Sequence, residues 1–226
     1  MWGKSIFLNI SDRVYRDNQV SFLRLLDEDP DARVLDIGCN DGSLSREIAC
    51  RTKAGEIFGV ERDPDLASQA LKKGIRITVC DANSALPFKD SSFDLITVNQ
   101  LIEHLYDLDN FFSEIKRVLK SGGQAIVSTI NLSSWHNIFF SALGMQPPSM
   151  HLCKVQVGNF LSGTKTHGHT RLLTLLAFKA ISKDYGLKVE KVSASGYYPF
   201  IGLLGDMLSS WDKIHAVYIS LGLRKE

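Results

Sequence analysis

Three carboxylates stand at or near the ends of three successive apolar runs. Asp36 lies in Val34-Leu35-Asp36-Ile37-Gly38-Cys39-Asn40-Asp41-Gly42, Glu61 in Val60-Glu61-Arg62-Asp63, and Asp81 in Val79-Cys80-Asp81-Ala82. An open parallel sheet binds its ligands at the carboxyl ends of its strands. Gly38 and Gly42 let the backbone turn sharply and approach a ligand closely. A dinucleotide fingerprint would need glycines where Asn40 and Ser43 stand, and Asp36 would repel a pyrophosphate. The same acid suits a ligand with a cationic end and no phosphate. Glu61, about twenty residues beyond the turn, is placed to accept from both hydroxyls of a ribose. Asp81 is placed to accept from an adenine amine, with the Ala82 N–H meeting a ring nitrogen. Structural readings stand beside these: Glu61 as a loop cap and Asp81 as a turn former. Asp63, followed by Pro64, is better placed as a helix N-cap than as a ligand group.

A fourth apolar run, Phe93 to Val98, leads into Asn99, Gln100 and His104. Asn99 and Gln100 face the cleft where a group donor and its acceptor would meet. His104 is either a base or substrate clamp, or a histidine that orients the loop. His136, His167 and His169 are candidates for the acceptor side, while His151 reads equally as packing. No two histidines have a spacing that, with Cys or Asp, compels a metal reading, so no metal is expected. Tyr15, in a helix-like segment from Asp12 to Leu26, either closes over the ligand or is an ordinary tyrosine. Adenine, ribose, an amino group and a positive sulfonium, without phosphate, together describe S-adenosylmethionine.

The elements that must position these residues alternate. Strands are expected at Arg33–Ile37, Glu56–Val60, Ile75–Val79, Phe93–Val98 and Gln124–Thr129. Helices are expected at Ser43–Thr52, from Asp63 to a cap at Gly74, and from Leu108 to Leu119, the last stopped by Gly122-Gly123. About forty residues without clear period, Asn131 to Gly168, read as a functional insertion. A helix from about Thr170 to Tyr185, a strand at Leu187–Val192, a short apolar helix within Tyr197–Trp211 and a strand at His215–Leu221 follow. Ile138–Leu143 and Tyr198–Leu208 read as a substrate lid, a subunit contact or core. The alternation points to an α/β fold with helices on both faces of a mostly parallel sheet.

Composition narrows the classes. The chain has 226 residues, 44% of them hydrophobic, and a formal net charge of +1, which suits one sizeable domain. No basic stripe points to nucleic acid. No apolar run approaches the roughly 18–20 residues that span a bilayer, and the Ile6-Phe7-Leu8 patch is too short for a signal-peptide core. Cys39, Cys50, Cys80 and Cys153 lack metal-like spacing, and three of them sit in or beside apolar segments. They read as buried free thiols in a reducing compartment, and a cytoplasmic location is expected.

These motifs resemble, in order and spacing, the class I S-adenosylmethionine-dependent methyltransferases. The resemblance rests on Asp36 to Gly42, Val60 to Asp63, Cys80 to Asn83 with Leu86-Pro87-Phe88, Ser92 to Ile96 with Ile102 to Leu105, and Arg117 to Gly123. It implies a Rossmann-like seven-stranded sheet in the order 3-2-1-4-5-7-6, the last strand antiparallel. It implies one domain over 1–226: a helical cap at 1–30, a cofactor half at 31–130, a substrate-shaping insertion at 131–170, and a closing helix and strands at 171–226. Asp36, Gly38 and Gly42 would then hold the methionine end, Glu61 the ribose, Asp81 and Ala82 the adenine, and Asn99 the cofactor's rim, with Cys39, Asn40, Arg62 and Gln100 as further candidate cofactor-binding residues. The family often has glycine at position 40; asparagine also tolerates a left-handed backbone. Beyond residue 130 the chain is more loosely similar to small-molecule methyltransferases of ubiquinone- and methionine-biosynthesis-like groups. The expected activity is in-line methyl transfer to a small molecule, with His104 as the candidate base. The rivals are a cofactor-binding regulatory module without catalysis and a nucleotide-dependent oxidoreductase.

Overall fold

The computed structural model describes residues 2–165 and 168–226, with side chains from Asp12 onward. The chain runs α1 (Trp2–Leu23), β1 (Val34–Ile37), α2 (Ser43–Thr52), β2 (Ile57–Glu61), α3 (Pro64–Lys72), β3 (Arg76–Val79) and β4 (Phe93–Asn99). It continues through a short 3-10 turn (Ile102–His104), α4 (Leu108–Val118), β5 (Leu119–Ile130), α5 (Trp135–Ala142), α6 (Leu175–Asp184), β6 (Leu187–Ser195), α7 (Leu203–Trp211) and β7 (Tyr218–Lys225). The strands form one sheet in the order β3-β2-β1-β4-β5-β7-β6. All pairs from β3 to β5 are parallel, and β7 runs antiparallel to both β5 and β6. This is the expected fold, and its topological switch point lies between β1 and β4, where such sheets open a ligand crevice.

Alternation along β1 divides the core. Leu35 and Ile37 pack with Phe111, Phe112 and Ile115 of α4 and Phe178 of α6. Val34 packs with Phe22 of α1, Ile48 of α2 and Ala70 of α3. Asp36 shares the second face and therefore lies under α2. Gly59, in the middle of β2, makes room for the turn after β1: a Cβ there would lie 2.7 Å from both Cys39 Sγ and Ile77 Cδ1.

Several boundaries differ from expectation. α4 gives way to β5 at Leu119, and Gly122-Gly123 sit inside the strand's irregular start rather than beyond a helix stop. Leu119 is buried and pairs with Phe93, so tertiary pairing ends the helix before the glycines. The insertion contains α5, whose apolar residues fall all around and hide the period. α6 starts at Leu175, capped by the Thr174 hydroxyl accepting from Ala177 N–H at 3.2 Å. Upstream, the Thr170 and Arg171 N–H groups donate to the Glu103 carbonyl at 2.9 and 3.2 Å instead of to a helix. β7 extends to Lys225 because it pairs on both sides. Only Cys39 of the four thiols is buried; Cys50 and Cys153 are exposed and Cys80 is half-buried. Phe139, Leu143, Leu203 and Met207 are exposed rather than core. Among the described residues, no helix is long and apolar enough to cross a membrane.

Overpacking predicts that Gly59→Ala destabilises the protein by about 1–3 kcal/mol, measured by urea unfolding, because Cys39 and Ile77 must both shift.

Candidate active site

The site begins with Asp36. Its carboxylate is buried, accepting from Ser45 Oγ of α2 at 2.6 Å and from Thr97 Oγ1 of β4 at 2.8 Å. Thr97 is its register partner across the sheet. Burial pushes the carboxyl up to about 6, against the pull of those two hydroxyls. The turn that follows is left-handed at Gly38, Asn40 and Gly42, with φ of 77°, 52° and 78°. Gly38 and Cys39 donate their N–H groups to the Val60 carbonyl at 2.8 and 3.1 Å. At Gly42 an added Cβ would meet Ala70 of α3 at 2.9 Å.

Glu61 ties this turn to the next. Its Oε2 accepts from Asn40 N–H at 2.9 Å, and its Oε1 accepts from the N–H groups of Arg62 and Asp63 at 2.8 and 2.9 Å. A carboxylate offers about four acceptor positions, and Glu61 meets three N–H groups of the protein with them. Asp63 caps α3, accepting from Asp65 and Leu66. Asp81 accepts from both the N–H and the side-chain Nδ2 of Asn83 at 2.9 Å, which holds its carboxyl below the ordinary range. Arg62 stands exposed 4.0 Å from Asp81.

At the end of β4, Asn99 Oδ1 accepts from Asn18 Nδ2 of α1 at 3.2 Å, and Asn18 Oδ1 accepts from Ser128 Oγ of β5 at 3.1 Å. Gln100 adopts a left-handed backbone, φ 54°, uncommon for a residue with a side chain. In the amide orientation that satisfies its neighbours, it donates to Glu103 Oε1 at 3.0 Å and accepts from Thr129 N–H at 3.2 Å. Glu103 is fully buried and also accepts from Thr129 Oγ1 at 2.9 Å; burial pushes its carboxyl up to about 7.

These residues line two adjoining cavities that share Gly38, Asn40 and Gln100. The smaller, about 290 Å³, is bounded by Tyr15, Gln19, Asp36 and Asn99. The larger, about 460 Å³, is bounded by Glu61, Asp81, Ala82, His104 and Tyr106. Together they make an elongated cleft across the ends of four strands. His104 faces His169 edge-on, ring centres 4.8 Å apart, and His169 stacks on His151 at 4.4 Å. Glu103, His104 and His169 bring donor atoms within 4.8 Å of one another, a grouping that a separation of some sixty residues hides from sequence reading. His169 and His136 line a third pocket of about 200 Å³. There His136 Nε2 lies 3.0 Å from Ser149 Oγ, and burial pushes the imidazole down to about 4.

A family model described as a methyltransferase domain matches residues 35–127. A probable S-adenosylmethionine-dependent methyltransferase of Mycobacterium tuberculosis is 35% identical over 125 residues, 55% of this chain and 45% of that protein. Residues 35–127 are thus similar to a methyltransferase domain, on a fold shared with solved S-adenosylmethionine-dependent methyltransferases. Human mitochondrial ubiquinone biosynthesis O-methyltransferase is 25% identical over 179 residues, 75% of this chain and 45% of that protein. The chain thus spans about half the length of the curated relatives it matches. A Haloferax volcanii methyltransferase, solved in complex with the Trm112 methyltransferase activator, has the same fold, with a TM-score of 0.66 at 17% identity over 96% of this chain and 93% of that one.

The domain brings nearly every sequence-derived cofactor residue to one cleft. Cys39 lines it, but its side chain packs into the core against Gly59. Gly42 shapes the turn through its contact with α3. Tyr15 joins the smaller cavity, whereas His136 and His169 belong to the third pocket; His167 lies outside the described residues. Sequence reading missed Asn18 and Gln19, Asn83 and Glu103. Asn83 bridges Asp81 to the Tyr106 N–H at 2.7 Å, and its short amide two residues after an acid was the available signal.

The raised Asp36 pKa carries a sign. The folded carboxyl keeps its proton up to about pH 6, whereas the unfolded one releases it near 3.8. Between those values the folded state binds more protons, so stability is greatest in acid and falls as pH rises towards 6, by about 3 kcal/mol from this group. Urea unfolding of Asp36→Asn against pH is expected to show a flatter profile across that window.

Proposed function

We propose that the protein is a cytoplasmic enzyme that methylates a small-molecule acceptor by in-line transfer. The carrying observation is the junction of two compartments, the cofactor cleft and the third pocket, across the His104–His169 ring pair. The residues present fit the cofactor: the left-handed turn and the strand-end acids border a cleft long enough for an amino-acid end and a nucleoside end. S-adenosylmethionine, when bound, supplies a methyl group on a sulfonium whose departure leaves a neutral thioether. Asp36 holds the turn rigid through Ser45 and Thr97, so that Gly38, Cys39 and Asn40 meet the amino-acid end. Glu61, with Arg62 beside it, takes the ribose side; Asp81 and Ala82 take the adenine. Asn99 and Gln100 form the floor beneath the reacting carbon, and Tyr15 covers the smaller cavity.

Positioning does most of the work in such a reaction, through orientation and exclusion of water. A hydroxyl acceptor must also lose a proton. His104 borders the cofactor cleft and meets His169, so it is the base in this reading, with His136 and His169 on the acceptor side and His167 assigned there from sequence. A small acceptor is supported by the third pocket's size and by similarity to the ubiquinone biosynthesis enzyme over most of this chain.

Saturating S-adenosylhomocysteine at a hundredfold excess over Kd is expected to stabilise the protein by about 2.7 kcal/mol. Glu61→Ala is expected to weaken that binding at least tenfold, read by calorimetry. With an identified acceptor, His104→Gln should lower kcat while leaving S-adenosylhomocysteine affinity unchanged; absence of any thermal shift with the cofactor or its product overturns the reading.

A further inference from the structure

The third pocket differs from the cofactor cleft in the sign of its charge. Among the described residues, its lining holds one permanent cation, Lys165, and no carboxylate. The cofactor cavities are lined by Asp36, Asp41, Glu61 and Asp81. Two further surface pockets place carboxylates beside their cations, Asp17 and Asp206 near Lys213 in one, Asp90 and Asp184 near Arg117 in the other. Lys53, Lys73, Lys120 and Lys191 each form an ion pair; among the described residues Lys165 forms none.

The backbone holds Lys165 at this pocket. It bridges Val155 in antiparallel fashion. On the next rung the Gln156 N–H donates to the Thr164 carbonyl at 2.8 Å, and the Gly163 N–H donates to the Gln156 carbonyl at 2.9 Å. Those bonds close a small hairpin that shares the cavity with Ile130, at the end of β5, and Tyr218, at the start of β7. Ile130 and Tyr218 are buried whereas Lys165 is exposed, so the ammonium belongs to the pocket's solvent edge, on a flexible four-carbon stem.

We propose that Lys165 is a specificity residue that selects an acceptor carrying a carboxylate on a ring-sized body, with the acid anchored at the solvent edge of the pocket. The inference rests on the methyltransferase reading above and adds the acceptor's charge. One ammonium balances the single charge of a carboxylate, whereas a phosphate monoester brings about −1.5 to −2 at neutral pH. A cationic acceptor would meet a like charge and no counter-charge. Two carboxylates act on Tyr218 from outside the lining, Glu103 and Asp12. Burial pushes Glu103 up to about 7, so it is partly protonated near neutrality, and Asp12 is exposed, where solvent and salt screen it.

A cavity of about 150 Å³ accommodates benzene, so about 200 Å³ admits one ring with small substituents. Lys165 borders neither cofactor cavity. The acid is therefore an anchor and not the methylated atom. The methylated group lies towards His169, which lines this pocket and meets His104 of the cofactor cleft.

Benzoate, benzamide, benzylamine and phenyl phosphate serve as ring-sized probes that differ at one group. Binding is read by NMR titration of the protein saturated with S-adenosylhomocysteine, at low ionic strength. Benzoate is expected to bind about fivefold more tightly than benzamide or benzylamine, the scale of one ion pair at a solvent edge, and more tightly than phenyl phosphate. Added salt should weaken benzoate and leave benzamide unchanged. Lys165→Met should abolish the preference for benzoate over benzamide and Lys165→Arg should keep it, while S-adenosylhomocysteine affinity stays constant in both. In the wild-type protein, the Lys165 side-chain Cε resonance should shift with benzoate and not with benzamide. Equal affinity for benzoate and benzamide, tighter binding of benzylamine or phenyl phosphate, or a preference that survives in Lys165→Met overturns the anchor. If S-adenosylhomocysteine itself fails to bind, the methyltransferase reading falls, whereas normal cofactor binding without a benzoate preference removes the anchor alone.

Discussion

A carboxylate buried at the centre of a sheet has no water to solvate it, and everything around the cleft is arranged to answer Asp36. Its two oxygens are met by one hydroxyl from α2 and one from the neighbouring strand β4. Those two bonds join the three elements that meet at the switch point: the strand before the turn, the helix after it, and the strand on the far side of the crevice. Hydrogen bonds to a charged group are the stronger kind, and in low dielectric each is felt more fully. The turn between β1 and α2 is thereby held at both ends, and its left-handed Gly38 and Asn40 keep their N–H groups directed at Val60 and Glu61.

Glu103 plays the corresponding part beneath the histidines. Its carboxylate reaches Gln100 and Thr129, and its carbonyl receives the N–H groups of Thr170 and Arg171. One buried residue thus joins the strained end of β4, the end of β5 and the last residues of the insertion. The insertion is long and irregular, but it re-enters the sheet through these bonds and through the Leu132 N–H donating to Leu173. That attachment brings His169 against His104. From the other side, α1 reaches the floor of the cleft through Asn18, which is fully buried between Asn99 and Ser128. Both acidic groups stand above their ordinary pKa because burial outweighs the bonds that favour the charge.

Most of the lining of the candidate cofactor cleft was legible before any fold was known, for a local reason. The turn after β1 is short, so its glycines, its left-handed Asn40 and its acid are neighbours in sequence as well as in space. Glu61 and Asp81 were candidates because each lies at or just beyond the end of a short run that reads as a strand. The acceptor side was far less legible. His104 and His169 are brought together by an insertion whose one helix among the described residues, α5, exposes Phe139 and Leu143 and so lacks a clean amphipathic period. Lys165, one lysine in an aperiodic stretch, carried no signal at all. Where pairing rather than propensity decides a boundary, as at Leu119 and in β7, the expected ends were displaced by several residues.

Alternation by itself determined a mostly parallel α/β sheet, and three strand-end acids pointed to the kind of ligand at its switch point; the strand order was implied by the resemblance to class I methyltransferases. These follow from interactions between residues close in the chain and from a connection rule that few topologies satisfy. Only the tertiary structure decided that Asp36 is clamped by Ser45 and Thr97, that Glu103 is the hub beneath the histidines, and that His136 and Lys165 share a pocket. Those contacts join segments that the sequence separates, and their energies come from burial and partner geometry, which exist only once the chain has closed around them.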